Sequence, residues 1–285
     1  MKTVLRPLLV FPLLNLIFAG GVHGEVSATN ELLPGVLIHS ETRTNPPTHF
    51  FVAEVDLKNP KLHLRVAPGG PDPDGPGKWE TTLMTPTKIA AREKFDLVVN
   101  GDFFIAQGVN DGEGTNAAFR ADQWALTEGV AMTDGKTWST STNARPCLVV
   151  HKNRAVTFES ITRPPDDAWE VIGGNVILVR DGKMIPHKTK VRHPRTVVGL
   201  DAGGNKLTIL LVDGRKPGIA VGMSYDELAD EMLRLGCTEA LNLDGGGSSV
   251  LAVRDGAGEL KILNEPTDGR ERAVADVLGI SVDKP

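Results

Sequence analysis

An α+β architecture, a mixed β-sheet core with helices packed on it, is what the 285 residues predict. Three observations carry this. Short apolar runs punctuated by Pro, Gly and Asn recur through most of the chain, the pattern of strands and turns. Two segments open with helix start signals, at Thr85-Pro86 and at Ser224. The second lies between KLTILLVDG and EALNLDG, so residues 206–253 read as a strand-helix-strand unit with a parallel crossover.

Taken in chain order, residues 1–24 carry Lys2 and Arg6, an apolar stretch and then small residues, which predicts a secretory signal cleaved after Gly24. Pro12 and Asn15 interrupt an apolar part shorter than the ~20 residues a membrane helix needs. The product is expected to be secreted or periplasmic, with no stable membrane insertion after cleavage. Residues 25–80 read as a β-rich extension. In it GVLIH, HFFVAEVDL and LHLRVA look like meander strands, and PGGPDPDGPGKWE is too rich in Pro, Gly and Asp for a regular element.

Residues 81–285 hold the rest. Thr85 is placed as an N-cap with Pro86 at the first helical position, where the missing N–H costs nothing. That helix feeds the strand DLVVNG. CLVVH, AVTFE and NVILVRDG are further β-type runs, the last closed by an Asp181-Gly182 turn. In SYDELADEMLRLG, Ser224 and Glu227 form a capping box. Tyr225, Leu228, Ala229, Met232 and Leu233 share one face, and Gly236 stands where a left-handed C-terminal cap belongs.

A formal charge of −5 sets nucleic acid aside as a partner. Cys147 and Cys237 have no second Cys or spaced His to suggest zinc, and a bridge or two buried thiols fit equally. Oligomeric state leaves no trace in the pattern.

The stretch with most chemistry is LNLDGGGSSVLAV. An acid before glycine is commonly just a hairpin turn, but three consecutive glycines exceed what a turn needs. The N–H groups of Gly245, Gly246 and Gly247 could converge on an anion, with the hydroxyls of Ser248 and Ser249 beside them. No lysine follows the glycines as a Walker loop requires, and no helix follows as in a dinucleotide fold. In KMIPHKTKVRHPRTVVGLD most cations suit a solvated face. His193 adjoins, and Arg195 and Thr196 start, an apolar strand on which a guanidinium fork can hold two phosphate oxygens.

Asn100, Gly101 and Asp102 end another strand beside two phenylalanines, ordinary turn chemistry that also suits a sugar. Asp213 and Asp244 end the two strands of the strand-helix-strand unit, as paired carboxylates of a glycosidase would. Asp268 and Arg272 sit in a polar loop before the last strand, which alone counts for little.

In the order NGDFF, HPRTVVGLD, LLVDGR, SYDELADEMLRLGCTEALNLDGGGSS and NEPTDGRERAV, roughly residues 81–282 resemble the phosphodiester glycosidases. The resemblance implies hydrolysis of a sugar 1-phosphodiester in an exported glycan or phosphoglycoside, without a cofactor. Its signature positions fall on Asn100, Gly101, Arg195, Thr196, Asp213, Gly214, Arg215, Asn242, Asp244, Gly245, Gly246, Gly247, Ser248, Ser249, Asp268, Gly269 and Arg272. Two positions depart: relatives often have glycine at Asp102 and threonine at Val250. On this reading Asp244 leads as the reacting carboxylate with Asp213 as the other, and Arg195, Thr196 and the Gly245–Ser248 backbone hold phosphate. Two alternatives stand. Asp102, Asp213 and Asp244 could hold a divalent cation for P–O cleavage, or the chain could bind anionic polysaccharide without cleaving it.

Overall fold

The computed structural model describes residues 24–109 and 118–283. The signal segment therefore falls, apart from Gly24, outside the described residues, among which no helix is long and apolar enough to cross a membrane. The architecture is strand-dominated, with two α-helices, Pro86–Glu93 and Tyr225–Arg234.

The strand-helix-strand unit forms with one strand inserted in it. Arg195–Asp201 and Lys206–Val212 close first as a tight antiparallel hairpin. Cys237–Asn242, arriving after the helix, pairs antiparallel with the opposite edge of Arg195–Asp201. The two expected parallel strands thus point the same way but never touch. Every strand pair among the described residues is antiparallel, so the sheets are not mixed. The reason is local: the short turn at residues 202–205 brings a partner strand in at once, and the helical connection must land beyond it.

This nine-stranded sheet continues outward through Pro47–Asp56 and Val36–Thr44 on one side and Val176–Arg180 on the other. The Asp181-Gly182 turn there has φ of 52° and 69°, as a two-residue hairpin turn requires. The meander stops after two strands. Leu62–Pro68 leaves to join a second, five-stranded sheet, ordered Leu260–Ile262, Leu251–Arg254, Leu97–Asn100, Asp276–Val282, Leu62–Pro68. Segment 25–80 is consequently woven into both large sheets. A third sheet contains Arg145–His151, Val156–Ile161 and Ala168–Gly173.

Alternate residues of these sheets meet in one core, including Ile38, Val55, Leu97, Val99, Leu148, Val198, Ile209, Leu241, Leu251 and Leu278. The outer face of the first sheet is covered by Leu228, Ala229 and Met232 of the capped helix, and the second by Ile89 and Ala90. Burial on both faces explains why TVVGL and LTILLV read as unbroken apolar runs. Contact is close: a Cβ on Gly199 would lie 2.4 Å from Met232 Cε. The capping box forms as expected, and Gly236 takes φ 84°. Thr85 is the N-cap of the first helix but makes no side-chain cap bond; Glu271 from a distant loop accepts the Thr87 N–H instead, at 3.0 Å. Cys147 and Cys237 are both free and buried.

Candidate active site

The stretch Leu243–Val250 is where the chain passes from the first sheet to the second, since Cys237–Asn242 belongs to one and Leu251–Arg254 to the other. A crossing between sheets cannot satisfy its backbone by a ladder, so side chains do it. Asn100 Nδ2 donates to Asp244 O at 2.8 Å, while its Oδ1 accepts from Thr196 Oγ1 at 2.7 Å and Val250 N at 3.3 Å. Asp244 N–H donates to Gly101 O and Leu243 N–H to Thr196 O, both at 2.9 Å. Asn264 accepts from Leu251 N at 2.9 Å and donates to Ser249 O at 3.1 Å. Asn100, Gly101, Thr196 and Asp244 are thus brought to one place.

The glycines have a different part from the expected nest. Gly246 N–H donates to Pro194 O at 2.9 Å, Gly245 N–H to the Asp244 carboxylate at 2.7 Å, and Ser248 N–H to Gly245 O at 3.1 Å. Those three amides are committed within the protein. The glycines allow approach instead. A Cβ on Gly245 would stand 2.6 Å from Pro194 O, and one on Gly246, at φ 60°, would stand 2.9 Å from Arg215 Nη2. Ser248 and Ser249 are buried, and neither hydroxyl oxygen has a hydrogen-bond partner.

Asp244 lies among cations. Desolvation raises its carboxyl to about 6, against the pull of the Ser248 hydroxyl, the Gly245 N–H and Arg272. Arg195 is buried and stacks on the Tyr225 ring with Cζ 4.3 Å from the centroid. Burial lowers the pKa of both Arg195 and Arg272, and each feels Asp244 as an attraction and Arg215 as a repulsion. Two guanidiniums therefore share the field of one carboxylate, with a third acting on both of them, in a chain of net charge −5. His193 sits alongside with its pKa lowered by burial and by Arg195 and Arg215, and its Nδ1 is buried without a partner. Asp268, exposed, adds an acid within reach of the Arg272 charge.

Asp213 is placed differently from Asp244. Both its oxygens are engaged: Oδ2 with His49 Nδ1 at 2.9 Å, and Oδ1 with Glu265 N at 3.1 Å and Asn264 Nδ2 at 3.3 Å. It is buried, whereas the His49 side chain is 28% exposed. Asp213 is built to hold His49 and the loop carrying Asn264.

Asp102 is also engaged. Its carboxylate accepts from Phe103 N and Gly129 N at 2.7 Å each, and its own N–H donates to Asp276 Oδ1 at 2.8 Å. A Cβ on Gly173 would lie 2.3 Å from its Oδ2, and one on Gly101 2.3 Å from Asp276 Oδ1. Burial and the neighbouring acid push Asp102 well above the carboxylate range, and burial takes Asp276 to about 7. Such a pair keeps a proton near neutrality. Among the described residues no three His, Cys, Asp or Glu side chains converge as a metal site, and Asp102, Asp213 and Asp244 form no such cluster.

Sequence reading left out several functional neighbours. Arg215 stood only as a signature position; its φ of 59° turns it back toward Gly246. Tyr225 counted as a helix-face residue, yet its hydroxyl accepts from Asn175, which accepts from Asn242, making a polar brace beneath Arg195. His49 and Asp276 carried no local signal at all.

The description "phosphodiester glycosidase" matches residues 93–281. A solved catalytic domain of zebrafish N-acetylglucosamine-1-phosphodiester alpha-N-acetylglucosaminidase, auto-inhibited by its pro-peptide, superposes with a TM-score of 0.63 at 21% identity, covering 93% of this chain and 88% of that one. A hypothetical protein from Synechocystis gives 0.65 at 15% identity over 93% and 64% of the two chains. A Burkholderia pseudomallei K96243 protein described as exported gives 0.67 at 13% identity over 91% and 97%. These likenesses bear on the fold. An uncharacterized SPbeta prophage-derived protein, YomE of Bacillus subtilis strain 168, is 44% identical over 91 residues, 32% of this chain and 13% of that relative's length.

Proposed function

Because this chain belongs to the phosphodiester glycosidase family, we propose that it is an exported hydrolase that cleaves a sugar 1-phosphodiester at the bond between C1 and the phosphate oxygen. The observation that carries the reading is that Arg195 and Arg272 both feel the Asp244 charge, with Arg215 acting on both and lying against Gly246. The arginines fit a phosphodiester, and the carboxylate fits the sugar carbon joined to it.

The step balances simply. Water adds its oxygen to C1, the C1–O bond breaks, and its electron pair leaves on the phosphate. The departing monoester has a second pKa of about 6, so it leaves without being protonated first. The arginines steady its charge, and Arg195 does so from a buried position. Asp244, at about 6, is ionised at neutral pH yet basic enough to take the water proton, and its charge steadies the cationic sugar. In this scheme Asp213 does not touch substrate; it positions His49 at the rim.

The test is hydrolysis of a panel of sugar 1-phosphodiesters in ¹⁸O-water. We expect label in the sugar C1 hydroxyl and none in the phosphate monoester. Label in the phosphate would mean P–O cleavage and overturn the scheme; binding without any product would leave an anionic-glycan binder.

A further inference from the structure

A second concave surface lies away from the crossing. It has a volume of about 580 Å³, within the range of ligand sites, and its lining includes none of Asp244, Arg195, Arg215 and Arg272. Its separation from that site can be read along two strands. Asp276 is at one end of Asp276–Val282 and the lining residue Ser281 near the other. Gly173 touches Asp102, whereas the lining residue Trp169 is four positions back along Ala168–Gly173, about 13 Å away.

The groove is built rather than merely open. Trp169 is 44% exposed at its lip. The indole rests on Gly135, where a Cβ would lie 2.9 Å from Cζ3, and Gly135 N–H donates to Trp169 O at 2.8 Å. One edge of the ring is thereby fixed while the rest meets solvent. Beside it Glu170, buried, accepts from Val66 N at 2.9 Å and Asp134 N at 3.0 Å, and Arg65 grips the Asp134 carboxylate with Nε 3.1 Å from each oxygen.

The chain next to Trp169, joined to it where Lys152 N–H donates to Asp167 O at 2.8 Å, carries cations. Arg154 donates to the backbone carbonyls of Asn59, Pro60 and Leu62, and Lys152 Nζ to Asp166 O at 2.8 Å. Both charges are anchored by neutral oxygens, with no carboxylate among those bonds. A fixed aromatic plate in one groove with anchored cations matches a sugar ring that carries, or neighbours, an acidic group.

We propose that this groove is a second binding site for an acidic saccharide chain, with a ring on Trp169 and a carboxylate or phosphate on Lys152 and Arg154. That the chain bound here is also the polymer cut at Asp244 rests on the function proposed above; the binding itself does not. The experiment is native electrophoresis of the exported chain through gels containing polygalacturonate, with neutral dextran as the control. Polygalacturonate is expected to slow the wild type and dextran not. Trp169→Ala should weaken that retardation about tenfold, the size of losing one aromatic contact, and Lys152→Ala should weaken it as well. Trp169→Phe should restore part of it, and turnover of a small sugar 1-phosphodiester should be unchanged in all three. Equal mobility of the wild type in both gels, or retardation that survives Trp169→Ala, overturns the proposal. Retardation by a protein that hydrolyses nothing would sink the catalytic reading and leave this one standing.

Discussion

Asp244 is the residue on which most of the chemistry turns, and its environment sets two measurable consequences. Since burial holds its carboxyl near 6, the base form is lost on acidification, and kcat/KM should fall below about pH 6 with a single-proton limb. Asp244→Asn should lower kcat by about a thousandfold or more, the scale of removing a group that acts in the transition state. It should not unfold the protein. The folded pKa exceeds the ordinary value of 3.8, so ionisation is disfavoured by folding, and this contribution is lost as pH rises through about 6. The Asn variant should therefore melt no lower than wild type at pH 7.5; a variant with near-normal turnover would remove Asp244 from the scheme. Arg195→Ala should raise KM for phosphodiesters more than for phosphate-free glycosides, and equal rises would count against the clamp. The sequence singled out Asp244 and Arg195 by their places at the ends of apolar runs, and the structure sets Arg195 at the start of its strand and Asp244 two residues past Cys237–Asn242. What the sequence could not show is that Asp213 engages His49, 164 positions away, or that Gly246 N–H donates to Pro194 O, 52 positions back in the chain.

At the scale of elements, legibility followed the range of the interactions. The helix Tyr225–Arg234 could be read completely, since its cap, its buried face and its terminal glycine all lie within 13 residues. Strand order could not, because nothing in LLVDG or EALNLDG says that Arg195–Asp201 sits between them. That helix also has a functional load: its first residue, Tyr225, carries Arg195 on its ring. The capping box fixes this end, with Glu227 Oε2 accepting from Ser224 N at 2.9 Å. Ser224→Ala should cost about 1 kcal/mol of stability, the usual worth of an N-cap. It should also raise KM for the phosphodiester with little change in kcat, and Ser224→Thr should recover both. A loss of stability with KM untouched would mean that the helix end supports the fold and not the clamp.

For the whole molecule, the crossing between sheets is both the site and a seam, and the buried acids behind it couple it to pH. Asp102 and Asp276 belong to strand ends of the second sheet, one after Leu97–Asn100 and the other opening Asp276–Val282, yet they meet directly behind the Gly101 turn that holds Asp244. Burial raises Asp276 to about 7, and burial with the neighbouring charge raises Asp102 as well. At these two acids the folded state consequently binds more protons than the unfolded one between about pH 4 and 7, so the pair's contribution to stability falls as pH rises through that window, against the opposite pull of the partly buried His39 and His193. Asp244 and Glu170, raised to about 6 and 7, act in the same direction as the pair. We expect Tm to decline from mildly acidic pH to pH 8, opposite to a protein whose carboxylates are mainly salt-bridged. Asp276→Asn tests the source, because its amide oxygen can still accept the Asp102 N–H while the uncommitted Oδ2 becomes a neutral donor. Its Tm should lose part of the decline between pH 6 and 8 and exceed that of wild type at pH 8. A wild-type Tm that is flat or rises over that interval, or an Asp276→Asn profile parallel to it, would show that the pair carries no shared proton and that the seam is held by hydrogen bonding alone.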